Sequence, residues 1–298
     1  MGDTLMDYRG YEVNVKGGSI LVNGVRDFDP SHTFDCGQCF RWIREEDGSY
    51  TGIVRGRVAN ISSRGGVIEI KNSTLEDFED WFDYLDLGRD YSAVRADISR
   101  DDTMRRAVAF GSGIRLLRQD TWETLISFII SANNRIPMIK KVVASIAAAY
   151  GEEVRYDGRS WFSFPGPEKL ADCSLKGLEL CKAGFRCKYI LETARLVASG
   201  EFDLQKLKTA DREEARKLLV QLPGVGYKVA DCTLLFSGTR PDVFPTDVWV
   251  KRVMEELYFK RQASLKEIWQ FAQDYFGEYA GLAQQYLFYY ARENRIGT

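Results

Sequence analysis

The sequence predicts an α+β protein: an antiparallel β-rich domain with short helices over residues 1–113, then an all-helical domain over residues 114–298. Three observations predict it. Short alternating apolar runs separated by Gly-containing turns fill the first third. Helical periodicity and capping signals take over from about residue 73. A tight Leu222-Pro223-Gly224-Val225-Gly226 turn sits between two helical runs, giving a helix–hairpin–helix at about 211–236.

The elements follow in order. Runs 12–15 and 19–22 flank Lys16-Gly17-Gly18, a hairpin signal. Runs 39–44, 50–54, 57–62 and 67–71 alternate around Asp47-Gly48, Arg55-Gly56 and Arg64-Gly65-Gly66. A capping box from Ser73 to Glu76 opens the first helix. From there the pattern stays helical, and Gly111-Ser112-Gly113 is the candidate linker. Asp120 and Glu123 form a second capping box before 122–131, a helix so apolar that it must be buried. Pro137 starts a helix to Tyr150, as proline does at a first helical position. Further helices are expected over 167–181, 187–199, 211–221, 226–236, 247–258, 264–276 and 279–292. A cleft between the two domains is the expected ligand site.

Composition narrows the class. At 298 residues, 45% hydrophobic and 28% charged, the chain has an ordinary globular make-up. No stretch approaches the roughly 18 apolar residues of a membrane span, and residues 1–11 lack a signal-peptide core. A cytoplasmic protein with reduced thiols is expected. The net charge of −2 argues mildly against a nucleic-acid partner. The charge is uneven, however, with acids concentrated over 74–101 and Lys140, Lys141, Arg186, Lys188, Lys228, Lys251 and Arg252 later in the chain. Cys36-Gly-Gln-Cys39 has no second CxxC, the spacing of Cys173, Cys181 and Cys187 is irregular, and His32 is the single histidine. Buried small hydrophobes are the expected role for most of these thiols.

The chemistry-bearing block is residues 222–231 followed by Pro245-Thr246-Asp247. Pro223, Gly224 and Gly226 set a hairpin whose free N–H groups join a helix N-terminus, a ready phosphate site. Lys228 falls in the first helical turn, where the macrodipole opposes a cation, which suits a nucleophile better than a solubilising lysine. Asp247 stands at a helix start, where a carboxylate caps N–H groups and faces the cleft. Asp231 reads as a first-turn dipole partner without chemistry.

This block resembles the helix–hairpin–helix and aspartate signature of base-excision DNA glycosylases, whose lysine marks members that also cut the abasic strand. The resemblance implies a Schiff base from Lys228 and stabilisation of the cationic sugar by Asp247. A non-catalytic helix–hairpin–helix DNA-binding protein and a glycosylase for alkylated purines are the alternatives. Asp35-Cys36-Gly37-Gln38-Cys39-Phe40-Arg41-Trp42 and 277–288 resemble segments of the animal-type 8-oxoguanine DNA glycosylases. They imply that the Gly37 carbonyl accepts from N7–H of the oxidised base, Gln284 reads its Watson–Crick edge, Phe288 stacks on it and Cys232 covers the other face. Without the resemblance, Gln284 is solvated surface, and Phe288 and Cys232 are core.

Ser131-Ala132-Asn133-Asn134 is similar to the loop whose first asparagine fills the gap left by a flipped base, which implies that role for Asn133. On its own Asn133 is a helix C-cap. Gly184-Phe185-Arg186 is similar to the turn that wedges beside the orphaned partner base, implying that Phe185 buckles the duplex and Arg186 hydrogen-bonds the partner. Two positions depart from the family pattern: Met138 replaces a second partner-reading arginine, and Trp249 replaces a histidine at the DNA backbone beside Gly224 and Gly226. The family further implies a TATA-binding-protein-like β domain and no cofactor for chemistry. It also implies an optional hairpin cation on the carbonyls of Val220, Leu222 and Val225. The C-terminal cysteines of an iron–sulfur relative are missing. A monomeric prokaryotic member acting on double-stranded DNA containing 8-oxoguanine is expected.

Overall fold

The computed structural model describes residues 4–297. Its first layer is a seven-stranded antiparallel sheet of order β1-β2-β3-β7-β6-β5-β4. The strands are β1 (Thr4–Tyr8), β2 (Tyr11–Lys16), β3 (Ser19–Asn23), β4 (Trp42–Arg44), β5 (Tyr50–Val54), β6 (Arg57–Arg64) and β7 (Val67–Lys71). Two-residue turns at Arg9-Gly10, Gly17-Gly18, Arg55-Gly56 and Gly65-Gly66 all have positive φ at both positions, the twist-matched hairpin geometry. Register places Ile20, Ile70, Ile61 and Tyr50 side by side across four strands, all buried. Phe78, Trp81 and Phe82 of a later helix pack into the same core. Strand β1 was absent from the sequence reading, and β4 starts at Trp42 rather than residue 39.

The helices are α1 (Pro30–Phe34), α2 (Phe78–Tyr84), α3 (Tyr91–Ile98), α4 (Asp102–Phe110), α5 (Thr121–Ser131) and α6 (Ile136–Tyr150). They continue as α7 (Pro167–Ala171), α8 (Leu175–Leu180), α9 (Arg186–Ala198), α10 (Lys206–Thr209) and α11 (Arg212–Leu219). The last four are α12 (Tyr227–Phe236), α13 (Val248–Met254), α14 (Leu265–Phe276) and α15 (Ala280–Glu293). Helix α5 is buried as expected, with every residue from Thr124 to Ser131 inside. Val94, Ile98, Met104 and Ala107 of α3 and α4 pack into the helical core rather than against the sheet.

Five local expectations need correction. The chain is not helical throughout after residue 73: β8 (Glu153–Tyr156) and β9 (Arg159–Phe162) form a hairpin around Asp157-Gly158. The first capping box is Thr74 with Asp77, one residue later than expected. At α5, Asp120 caps Glu123 N–H at 2.8 Å, but the Glu123 side chain turns to Arg41, 3.7 Å away, instead of closing a box. The 167–181 segment breaks because Ser174 caps a new helix through Gly177 N–H. The 247–258 helix ends at Met254 and widens into a π-type turn over Glu255–Phe259.

Gly111–Gly113 is no loose linker. The Gly113 carbonyl accepts from Asp29 N–H at 3.0 Å and Thr33 Oγ1 at 2.9 Å. A Cβ on Gly113 would lie 2.3 Å from that of Asp29, so the glycine permits close approach of two segments. Arg115 is buried just beyond, donating to the carbonyls of Arg26, Asp27 and Asp86. The acidic cluster is likewise partnered, with Arg55, Arg57 and Arg118 reaching Asp77, Asp80, Asp83 and Asp86.

Candidate active site

Helices α11 and α12 hold the hairpin between them. Gly224 has φ +77°, and a Cβ there would meet the Tyr189 ring at 2.7 Å, so the turn tolerates only glycine. Gly226 begins α12 in extended conformation with open space around it. A buried ion pair locks the two helices: Arg216 donates to both carboxylate oxygens of Asp231, at 2.7 and 3.2 Å, and lies over the Trp269 ring. Asp231 is therefore a buried structural clamp, more than the first-turn dipole partner expected from the sequence. Burial pushes its carboxyl up to about 6 against the opposing pull of Arg216.

With α12 fixed, Lys228 projects from its first turn, half-buried, with Nζ donating to Ser131 Oγ at 3.0 Å and 5.0 Å from the Phe128 ring centroid. Ser131 Oγ in turn donates to Phe128 O at 2.7 Å, which aims its lone pair at the lysine. Asp247 caps α13 by accepting from Val250 N–H at 2.7 Å through Oδ1, leaving Oδ2 for other work. Lys228 and Asp247 border one cavity of about 160 Å³ together with Gly37, Cys232, Gln284 and Phe288.

The walls of that cavity are held from behind. Gly37 adopts φ +94°, and a Cβ there would sit 3.2 Å from both Phe288 and Arg292. Its turn is pinned to α15 by Gln285 Nε2 donating to Cys36 O at 3.0 Å and Arg292 Nη2 donating to Asp35 O at 2.7 Å. Gln284 is 4% exposed, so it is not the solvated residue its polarity suggests, and its Oε1 has no donor among the described residues. Such a buried acceptor costs about 1–3 kcal/mol until a ligand supplies a proton. Phe288 meets Trp249 edge-on, with ring centroids 5.3 Å apart. Cys232 is buried and its thiol is pushed up to about 12 by burial, so it stays a neutral apolar wall.

A second, open depression of about 820 Å³ runs along the hairpin and takes in Asn133, Gly224, Gly226, Lys228, Asp247 and Trp249. Asn133 is exposed with φ +51°, just past the end of α5. Met138 is 40% exposed and Phe185 59% exposed. Arg186 is only 8% exposed. Its Nε and Nη2 groups donate to Ala132 O and Asn133 O, and Nη1 donates to Ala183 O. One Nη1 hydrogen is left for any partner base. The guanidinium therefore braces the Asn133 loop, a role the sequence reading missed. Ser131, Gln285 and Arg292 were also missed as supports; Ser131 and Gln285 lay within recognised motifs, and Arg292 did not.

Residues 20–125 match the model of the 8-oxoguanine DNA glycosylase N-terminal domain, and residues 126–276 match that of the HhH-GPD superfamily base excision DNA repair proteins. The chain belongs to this family. It is 31% identical to a probable N-glycosylase/DNA lyase of Methanothermobacter thermautotrophicus, over 91% of this chain and 96% of that protein. Among solved structures, MBOgg1 in complex with a low-affinity DNA ligand is 50% identical, covering 96% of this chain and 99% of that one at a TM-score of 0.94. The Clostridium acetobutylicum 8-oxoguanine glycosylase/lyase, bound to double-stranded DNA with cytosine opposite 8-oxoguanine, is 44% identical at a TM-score of 0.93, covering 98% and 100%. This member of the family thus carries both halves of an 8-oxoguanine glycosylase. No helix among its described residues is long and apolar enough to cross a membrane.

Proposed function

We propose that this chain flips 8-oxoguanine out of duplex DNA, excises it, and cuts the strand at the resulting abasic site. The observation that carries the reading is the convergence of Lys228, Asp247, Gln284 and Phe288 on one cavity. The extruded base enters between Phe288 and Cys232, gives its N7–H to the Gly37 carbonyl, and supplies the missing proton to Gln284. As the C1′–N9 bond breaks, its electron pair leaves with the base, and Asp247 stabilises the cationic sugar. Lys228 Nζ donates its lone pair to C1′ and passes one proton to the departing base anion. The C1′–O4′ bond then breaks and O4′ takes the second amine proton, leaving an imine whose protonated form acidifies C2′–H. Loss of that proton drives the C3′–O bond to break, and the 3′-phosphate departs.

Asn133 fills the vacated stack, Phe185 wedges the opposite strand, and Arg186 offers its remaining N–H to the partner base. Met138 packs against any partner without choosing among acceptors, so partner selection is relaxed. Gly224, Gly226 and the start of α12 grip the backbone, and Trp249 buttresses Phe288 where the family histidine would stand. The Val220, Leu222 and Val225 carbonyls suit a hard cation in donor type. The Leu222 oxygen already accepts from Val225 N–H at 3.1 Å and keeps its second lone pair. That ion would stiffen the hairpin and takes no part in the chemistry. The protein works as a monomer in a prokaryotic cytoplasm.

Borohydride trapping on an 8-oxoguanine duplex tests the proposal. A covalent protein–DNA band is expected from the natural chain and none from Lys228→Gln. A natural chain that binds the duplex without a band would favour the non-catalytic alternative, and release of alkylated purines but not of 8-oxoguanine would favour the other.

A further inference from the structure

Four residues border both the cavity proposed for the lesion and the open depression along the hairpin: Ser131, Asn134, Lys228 and Asp247. The sugar of an extruded nucleotide joins its base to the backbone, so its C1′ must lie where the two spaces meet. Lys228 and Asp247 have their chemistry there. Ser131 touches the first of them, and the excision steps leave it no role. It is the last residue of α5, and its hydroxyl is engaged on both sides. The proton goes to Phe128 O at 2.7 Å, and the oxygen accepts from Lys228 Nζ at 3.0 Å. Its backbone is fixed as well, with Asn134 N–H donating to Ser131 O at 3.1 Å.

A lysine amine on its four-carbon stem can take many directions, and a nucleophile must take one. The Ser131 oxygen supplies a fixed point for Nζ. Among the described residues Lys228 forms no ion pair, and Asp247 spends Oδ1 on Val250 N–H. The Phe128 ring and the buried Cys232 thiol near Nζ offer no oxygen. A neutral hydroxyl therefore holds the amine where a carboxylate would bind it as a salt bridge and oppose its attack. We propose that Ser131 is a positioning residue, whose hydroxyl aims Lys228 Nζ at C1′ without committing it to an ion pair. The proposal rests on the reading of Lys228 as the nucleophile. Because Ser131 acts through the lysine, it should matter equally to base release and to imine formation, unlike Gln284 and Phe288, which touch only the base.

The test compares the natural chain, Ser131→Ala and Ser131→Thr under single-turnover conditions. Base release is followed on an 8-oxoguanine duplex, and imine formation by timed borohydride quenching on a ready-made abasic duplex. Ser131→Ala should slow both by the same factor, about tenfold or more, since small misplacements of a reacting group can cost about a hundredfold. Its affinity for the duplex, read by gel shift, should stay within about twofold of the natural chain's. Ser131→Thr should regain most of both rates. Threonine in a helix can make the same bond to the carbonyl three residues back, and its extra methyl borders open space. Natural rates in Ser131→Ala, a loss confined to base release, a loss of affinity that matches the loss of rate, or a threonine variant as slow as alanine would each overturn the proposal. A natural chain that gives no covalent band on the abasic duplex would overturn the nucleophile reading itself, and the proposal with it, so the two failures are told apart.

Discussion

The cavity proposed to take the lesion and the face proposed to meet the partner base are built differently. In the pocket, three groups are fixed by other parts of the fold: Gly37 by Gln285 and Arg292, Phe288 by Trp249, and Lys228 by Ser131. At the partner face, Met138 and Phe185 lie exposed, and Arg186 has most of its donors tied to backbone carbonyls. Preorganised groups discriminate because they cannot relax around a wrong ligand. Exposed flexible ones adapt to whatever they meet. On the proposed roles, the pocket residues and Arg186 are held rigidly, and only Met138 and Phe185 are free to adapt.

The largest effect is expected at the residue on which both steps depend. Lys228→Gln should abolish base release and strand cleavage while duplex binding persists, read by gel shift alongside the cleavage assay. Next is Asp247→Asn. Asparagine still caps a helix, so the melting temperature should hold while base release slows by about 2.7–4 kcal/mol of barrier. A near-natural rate with an intact fold would reduce Asp247 to its cap.

Gln284→Ala and Phe288→Ala sharpen the comparison on the pocket side. Each should cost roughly 1–3 kcal/mol in 8-oxoguanine excision and leave cleavage of a ready-made abasic duplex unchanged. Equal losses on both substrates would mean that α15 supports the whole site instead of reading the base. The smallest effect belongs to the partner face: Met138→Arg should restore some cytosine preference, about 1–3 kcal/mol for a good base-edge contact. It should do so mainly by slowing the other three pairs. No change would show that position 138 does not face the partner.

What could be read from the sequence follows the same divide between local and distant causes. Lys228, Asp247, Gln284 and Phe288 stand in short contiguous motifs, and the structure gathers them onto one cavity. Their supports were not legible, because Ser131 meets Lys228 across 97 residues and Arg292 meets Asp35 across 257. Gly113 read as a flexible linker because a glycine required by close approach looks the same in sequence as one required by freedom. The β8–β9 hairpin did carry a signal, Asp157-Gly158 with positive φ at both residues. Glu153-Val154-Arg155-Tyr156 even alternates polar and apolar, but two four-residue strands are short, and the sequence reading places no strands between the helices ending at Tyr150 and starting at 167.

Single-turnover excision from five duplexes tests the central claim most directly. Four carry 8-oxoguanine opposite each of the normal bases, and the fifth carries unmodified guanine opposite cytosine. The account predicts rates on the four lesion duplexes within about one decade of each other, equivalent to ~1.4 kcal/mol, and no measurable release of guanine. A spread among partners of about a hundredfold, ~2.7 kcal/mol, or release of guanine at a rate close to that of the lesion, would contradict it.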